Sequence, residues 1–236
     1  MMQSRERPRT PQAMFDRVAP YYDVLNSVLS FGMDRRWRRR AVAALSLPPG
    51  ARVLDVATGT GTVLAEIVRV TAGSVSATGC DLNEQMLAVA RRRMRGVNVE
   101  LVRCDATRLP FPDESFDAVT LAFAIDDMPD RDQCIREVHR VLRPSGRLAL
   151  LELGQPDAPP LRAAYRMYLR AFRLVGFGGA RGYRHLEEEI ATYRGVRAVE
   201  SLLERGGFDR YRRANLTFGI ARLHVAEKGG LHHAAS

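Results

Sequence analysis

The chain has 236 residues, 46% of them apolar and 27% charged, a composition in the ordinary range for one globular α/β domain with a sizeable core. No run approaches the about 18 apolar residues of a membrane span, and the opening MMQSRERPRTPQ lacks the apolar core of a secretory signal, so a cytoplasmic protein is expected. Cys80, Cys104 and Cys134 have no CxxC spacing, and the histidines form no HExxH or HxxxH pattern, so neither a disulfide frame nor a metal site is expected.

The net charge of +9 is unevenly placed. Residues 1–50 carry nine Arg against four acids, residues 51–154 carry 13 Arg against 15, and residues 155–236 carry 13 Arg and one Lys against eight. Basic flanks could meet nucleic acid, an anionic membrane or an acidic partner. The run Arg35-Arg36-Trp37-Arg38-Arg39-Arg40 is read instead as a solvated helix face whose Trp37 packs inward. No nucleic-acid partner is expected, since a (D/N)PPY motif, a recognition domain and aromatic-interleaved basic stretches are all missing. Membrane contact is expected to be peripheral at most, and a homodimer is allowed.

In chain order, residues 1–11 read as a mobile polar arm, and 12–228 as a single domain. Within it, 12–48 form a helical cap: apolar residues fall at helical spacing, with Pro20 and Gly32 as punctuation. A β/α alternation follows. Strands are expected over 51–57, 75–82, 97–106, 115–125 and 146–154, with helices from about Val63, over 83–94 and over 130–142. Asn83 suits a helix N-cap. This order predicts a Rossmann-like, mostly parallel sheet with helices on both faces. Residues 155–195 read as a lid insertion containing an amphipathic helix (160–172) and the flexible segment GFGGARG (176–182). A helix over 196–206, a β-hairpin over 208–228 and a flexible tail over 229–236 complete the chain.

The turn after the first strand, Asp55-Val56-Ala57-Thr58-Gly59-Thr60-Gly61, is glycine-rich but departs from the dinucleotide fingerprint: Leu64 stands where the third glycine belongs. Asp55 precedes the glycines. A carboxylate there can orient the turn and meet an ammonium group, and would repel a pyrophosphate, which favours the sulfonium cofactor S-adenosylmethionine. Asp81, followed by Leu82, closes the second strand as an acceptor for ribose hydroxyls. Asp105-Ala106 closes the third, its carboxylate available to an adenine amino group and its following N–H to a ring nitrogen. Three acids at the carboxyl edges of consecutive parallel strands mark a ligand crevice rather than three unrelated turns.

The stretches LDVATGTG, CDLNEQML, DATRLPFPDESFDAVTLAFA and EVHRVLRPSGRLALLELGQP resemble the ubiquinone/menaquinone biosynthesis C-methyltransferases, as do residues 14–39, GYRHLEEEI (182–190) and NLTFGIARLH (215–224). The resemblance implies a seven-stranded sheet with an antiparallel last strand and an S-adenosylmethionine-dependent methyltransferase. It implies cofactor contacts at Thr60, Asp81, Asp105 and Ala106, and a closing role for Tyr22. Where the family reads SFGLRN this chain has Ala122 to Asp127. A contact serine becomes Ala122, and the Arg-Asn pair facing the acceptor becomes Asp126-Asp127.

Methyl transfer from a sulfonium is an in-line displacement that needs alignment and dryness, and aromatic acceptors gain from a base. Asp126 or Asp127 is the expected base, with Tyr22 and His185 as partners; alternatively the pair, or Asp130, merely caps the next helix. The altered acceptor motif favours a small aromatic or polyketide-like acceptor in specialised metabolism, methylated at C or O, or at N if the acids hold an amine. Alternatives are the quinone-precursor C-methyltransferase itself and a cofactor-binding cyclase that transfers no methyl.

Overall fold

The computed structural model describes residues 22–174 and 196–230. The arm, the segment 176–182, GYRHLEEEI with His185, and 231–236 of the tail lie outside those residues. Among the described residues two cap helices, α1 (Tyr22–Leu29) and α2 (Met33–Ala44), precede the sheet. Then follow β1 (Arg52–Val56), α3 (Thr62–Thr71), β2 (Ser76–Asp81), α4 (Glu84–Arg93), β3 (Val99–Arg103), β4 (Phe116–Ala122), α5 (Arg131–Val141) and β5 (Leu142–Leu153). The C-terminal part holds α6 (Pro159–Leu174), α7 (Val196–Arg205), β6 (Arg210–Leu216) and β7 (Ala221–Glu227).

The seven strands run in the order β3-β2-β1-β4-β5-β7-β6. β1 to β5 are mutually parallel, and β7 is antiparallel to both β5 and β6. Successive side chains of a strand face opposite sides, so a sheet covered on both faces needs apolar residues at adjacent positions. Leu54 and Leu150 pack on one face with Ile135 of α5 and Leu203 of α7. Val53 and Leu151 pack on the other with Trp37 of α2 and Ile67 of α3.

Asn83 caps α4 by accepting the Met86 N–H at 3.0 Å. The fifth strand begins at Leu142 rather than 146, because Leu142 pairs with Phe116 before a register shift lets Arg147 pair with Ala118. The third strand ends at Arg103, where Asp105 turns the chain by accepting the N–H and hydroxyl of Thr107, both at 2.8 Å. α6 lies against the end of α1: the Tyr168 hydroxyl donates to the Leu29 carbonyl at 3.1 Å, and its ring meets Phe31 with centroids 5.0 Å apart. Among the described residues no helix is long and apolar enough to cross a membrane.

Candidate active site

The strand order reverses between β1 and β4, and an open α/β sheet is cleft at the carboxyl ends of its strands at such a switch point. Asp55 and Thr120 are register partners across that switch. The Asp55 carboxylate, 1% exposed, accepts the hydroxyls of Thr120 and Thr58, each at 2.6 Å. Burial pushes its carboxyl up to about 6 against the pull of those two hydroxyls and of Arg38. Asp55 therefore holds the glycine turn in shape from below.

The turn is tied to β2 as well. The Asp81 carboxylate accepts the backbone N–H of Gly59 and of Asn83, both at 2.8 Å, while burial raises its pKa against those bonds. Gly61 starts α3 with φ +77°, and a Cβ there would meet Ala90 of α4 at 3.1 Å. Left-handed backbone and close helix approach together require glycine.

A cavity of about 370 Å³ opens above these ends. Of the residues expected from the sequence, Tyr22, Ala57, Gly59, Thr60, Asp81, Leu82, Asp105, Ala106, Ala122 and Asp127 line it. Asp55 and Gly61 do not; they shape the turn beneath it. Asp126 does not line it either, because Arg131 holds its carboxylate at 3.0 Å and its carbonyl at 2.7 Å. Asp127, one residue on, faces the cleft, and Asp130 is the α5 cap, accepting the Gln133 N–H at 2.9 Å. His185 lies outside the described residues.

Three features were missed in the sequence. Asp23 accepts the Thr60 hydroxyl at 2.6 Å and pairs with Arg93, which also donates to the Thr60 carbonyl. Glu152 is buried beneath the loop after β4 and accepts the Ala124 and Ile125 N–H groups, both at 3.2 Å. Burial, reinforced by Asp126, pushes it up to about 8 against those two bonds. Arg38, read as part of a solvated face, is 8% exposed and lines the cleft; Arg35, Arg36, Arg39 and Arg40 are the solvated ones. Periodicity offered a signal: one residue from inward-facing Trp37, Arg38 is rotated only about 100° around the helix, and Asp34 one turn earlier invites pairing.

Residues 1–228 match the family model described as the ubiE/COQ5 methyltransferase family. The chain belongs to that family. It is 39% identical to the ubiquinone/menaquinone biosynthesis C-methyltransferase of Geobacter sulfurreducens, over 97% of this chain and 92% of the relative. It is 41% identical to the demethylmenaquinone methyltransferase of Thermus thermophilus, over 91% of this chain and all (100%) of the relative. Solved structures share the fold at lower identity. A methyltransferase of Aquifex aeolicus matches at TM-score 0.59 and 19% identity, covering 80% of this chain and 88% of that one. The cyclase SpnF matches at TM-score 0.59 and 19% identity, covering 94% and 97%.

As a member of the ubiE/COQ5 family the protein is an S-adenosylmethionine-dependent methyltransferase acting on a small molecule. The cleft suits that cofactor by its own chemistry. Asp81 and Asp105 can accept hydroxyl and amino protons, while the single lining cation among the described residues, Arg38, can pair with one carboxylate. Among the described residues no group of three or more His, Cys, Asp or Glu side chains could hold a metal.

Proposed function

We propose that this methyltransferase adds a methyl group to a ring carbon of a quinone precursor of the demethylmenaquinone or ubiquinone-precursor type. The observation that carries the reading is its likeness to C-methyltransferases of that class along nearly the whole chain, cap and hairpin included. The structure also weakens the case for a different acceptor. An exchange of Arg-Asn for Asp-Asp looked in the sequence like a charge reversal, but Arg131 neutralises Asp126, so only Asp127 brings a new carboxylate to the cleft. The quinone ring therefore takes precedence over the aromatic or polyketide-like acceptor expected from the motif.

The bound cofactor supplies an electrophilic methyl on a sulfonium. Asp81 would take the ribose hydroxyls, Asp105 and the Ala106 N–H the adenine edge, and Leu82 and Ala122 would give apolar contact. Gly59 and Thr60 would hold the amino-acid tail, with Ala57 at the base of the turn. The acceptor reacts in its reduced, quinol form, and Asp127 accepts the proton of one of its phenolic hydroxyls. The ring carbon made electron-rich by that loss would take the methyl that the cofactor supplies, leaving S-adenosylhomocysteine; the proton of that carbon passes to solvent, and Asp127 returns its own proton to the ring oxygen, which restores the aromatic phenol. Tyr22 closes the cleft from the cap and excludes water.

Complementation of a bacterium lacking its quinone-ring C-methyltransferase, with mass spectrometry of extracted quinones, tests the acceptor. Restored methylated quinone supports it. Unmethylated quinone alone, from a strain in which the soluble protein demonstrably binds S-adenosylhomocysteine, would sink it and return the aromatic or polyketide-like acceptor to first place.

A further inference from the structure

We infer that Arg38 is the anchor for the α-carboxylate of the cofactor's methionine tail, a binding residue contributed by the cap rather than by the glycine turn. The inference rests on the family's use of S-adenosylmethionine and names a contact within that site. Arg38 lines the cavity together with Ala57, Thr60, Ala122 and Phe123, and among the described lining residues it is the one cation.

Its surroundings leave it short of partners. Arg38 is 8% exposed, and its Nε makes no hydrogen bond. Its ion-pair partner is Asp34, one helical turn back, at 3.6 Å, and Asp34 already accepts the Ser30 hydroxyl at 3.0 Å. The Phe123 ring stacks beneath it, 5.0 Å from the guanidinium carbon. That ring is itself fixed: Phe123 sits at φ 57°, its N–H donates to Leu151 at 2.7 Å, and Trp37 packs 6.3 Å away.

A buried guanidinium with an idle donor, one loose ion pair and a fixed aromatic platform is costly unless an anion completes it. Its planar fork matches a carboxylate. Position selects which carboxylate. Arg38 stands over Phe123, which directly follows β4 beside β1 and its glycine turn, whereas Asp81 and Asp105 sit farther out along the sheet, on β2 and after β3. The cleft is thus cationic where the tail would lie and acidic where ribose and adenine would lie.

The test is isothermal titration of the full chain with three probes: S-adenosylhomocysteine, its decarboxylated analogue and 5′-methylthioadenosine, which lacks the whole amino-acid end. Wild type is expected to bind S-adenosylhomocysteine about 10- to 100-fold more tightly than the decarboxylated analogue, the range of a buried charge-assisted bond. Arg38→Gln should abolish that preference and leave 5′-methylthioadenosine binding unchanged. Should this variant fail to fold, Arg38→Lys reads the same contact, with a partial loss confined to S-adenosylhomocysteine. Equal affinity of wild type for the first two probes would overturn the inference. So would a variant that weakens 5′-methylthioadenosine as much as S-adenosylhomocysteine, or one that raises only the acceptor KM, which would place Arg38 against the acceptor. Failure of wild type to bind any probe would instead remove the cofactor assignment itself.

Discussion

The Asp23 carboxylate accepts the Thr60 hydroxyl at 2.6 Å, joining the first cap helix to the glycine turn 37 residues away in sequence. Arg93 of α4 completes the joint by pairing with Asp23 and donating to the Thr60 carbonyl. The cap is therefore fastened to the element expected to carry the cofactor, and cap closure and cofactor binding should report on each other. Asp23→Asn keeps the shape but removes the charge shared by Thr60 and Arg93. We expect S-adenosylhomocysteine affinity to fall by about 10-fold, as for loss of a charge-assisted bond, and amide exchange in α1 to quicken. Unchanged affinity and protection would show that the joint carries no energy.

Asp126 and Asp127 should differ sharply although they are neighbours. Asp126→Asn removes a half-exposed pair with Arg131, worth about 1 kcal/mol at most, so turnover should stay within a few-fold. Asp127→Asn removes the carboxylate that faces the cleft and should lower kcat by about 100-fold or more, the range for a general base. Steady-state kinetics of methyl transfer to the unmethylated acceptor decide it. Equal effects of the two substitutions would contradict the assignment of Asp127.

Glu152 makes stability depend on pH in a direction opposite to most carboxylates. Burial raises it from an ordinary 4.5 to about 8, so between those values the folded chain keeps a proton that the unfolded chain has released. Folding then binds protons, and stability must fall as pH rises from about 4.5 to 8, with no further loss from this group above that. Glu152→Gln preserves an acceptor for the Ala124 and Ile125 N–H groups and cannot ionise. Its melting temperature should decline less than that of wild type across this window. Parallel declines in the two proteins would assign the slope to other groups.

Gly61→Ala tests the seat of the turn. An alanine at φ +77° is strained by about 1–2 kcal/mol, and its methyl would press on Ala90 at 3.1 Å. We expect a loss of stability of at least that size in denaturant titration, accompanied by weaker S-adenosylhomocysteine binding as α3 and α4 move apart. Gly59→Ala, with no atom within 4 Å of its new methyl, bears only the backbone strain and should cost less stability.

What the sequence alone determined is what short-range rules govern. Alternating strands and helices, the Asn83 cap and the three strand-end acids follow from side-chain periodicity, capping chemistry and turn preference within a few residues. The resemblance in its motifs named the family for the same reason, since those motifs are contiguous. Tertiary structure decided what depends on residues far apart in the chain. Asp55 lies beneath the turn and does not line the cavity, because the hydroxyls of Thr120 of β4 and of Thr58 take its two oxygens. Asp126 leaves the cleft because Arg131 of α5 claims it. Glu152 becomes reluctant to ionise because the loop after β4 buries it, and Arg38 becomes an interior cation because Phe123 lies beneath it. A charge in a sequence has no dielectric and no partner until the fold supplies both, so Asp81, Asp105 and the Asp126-Asp127 pair could be picked out in the sequence, whereas Arg38 could not.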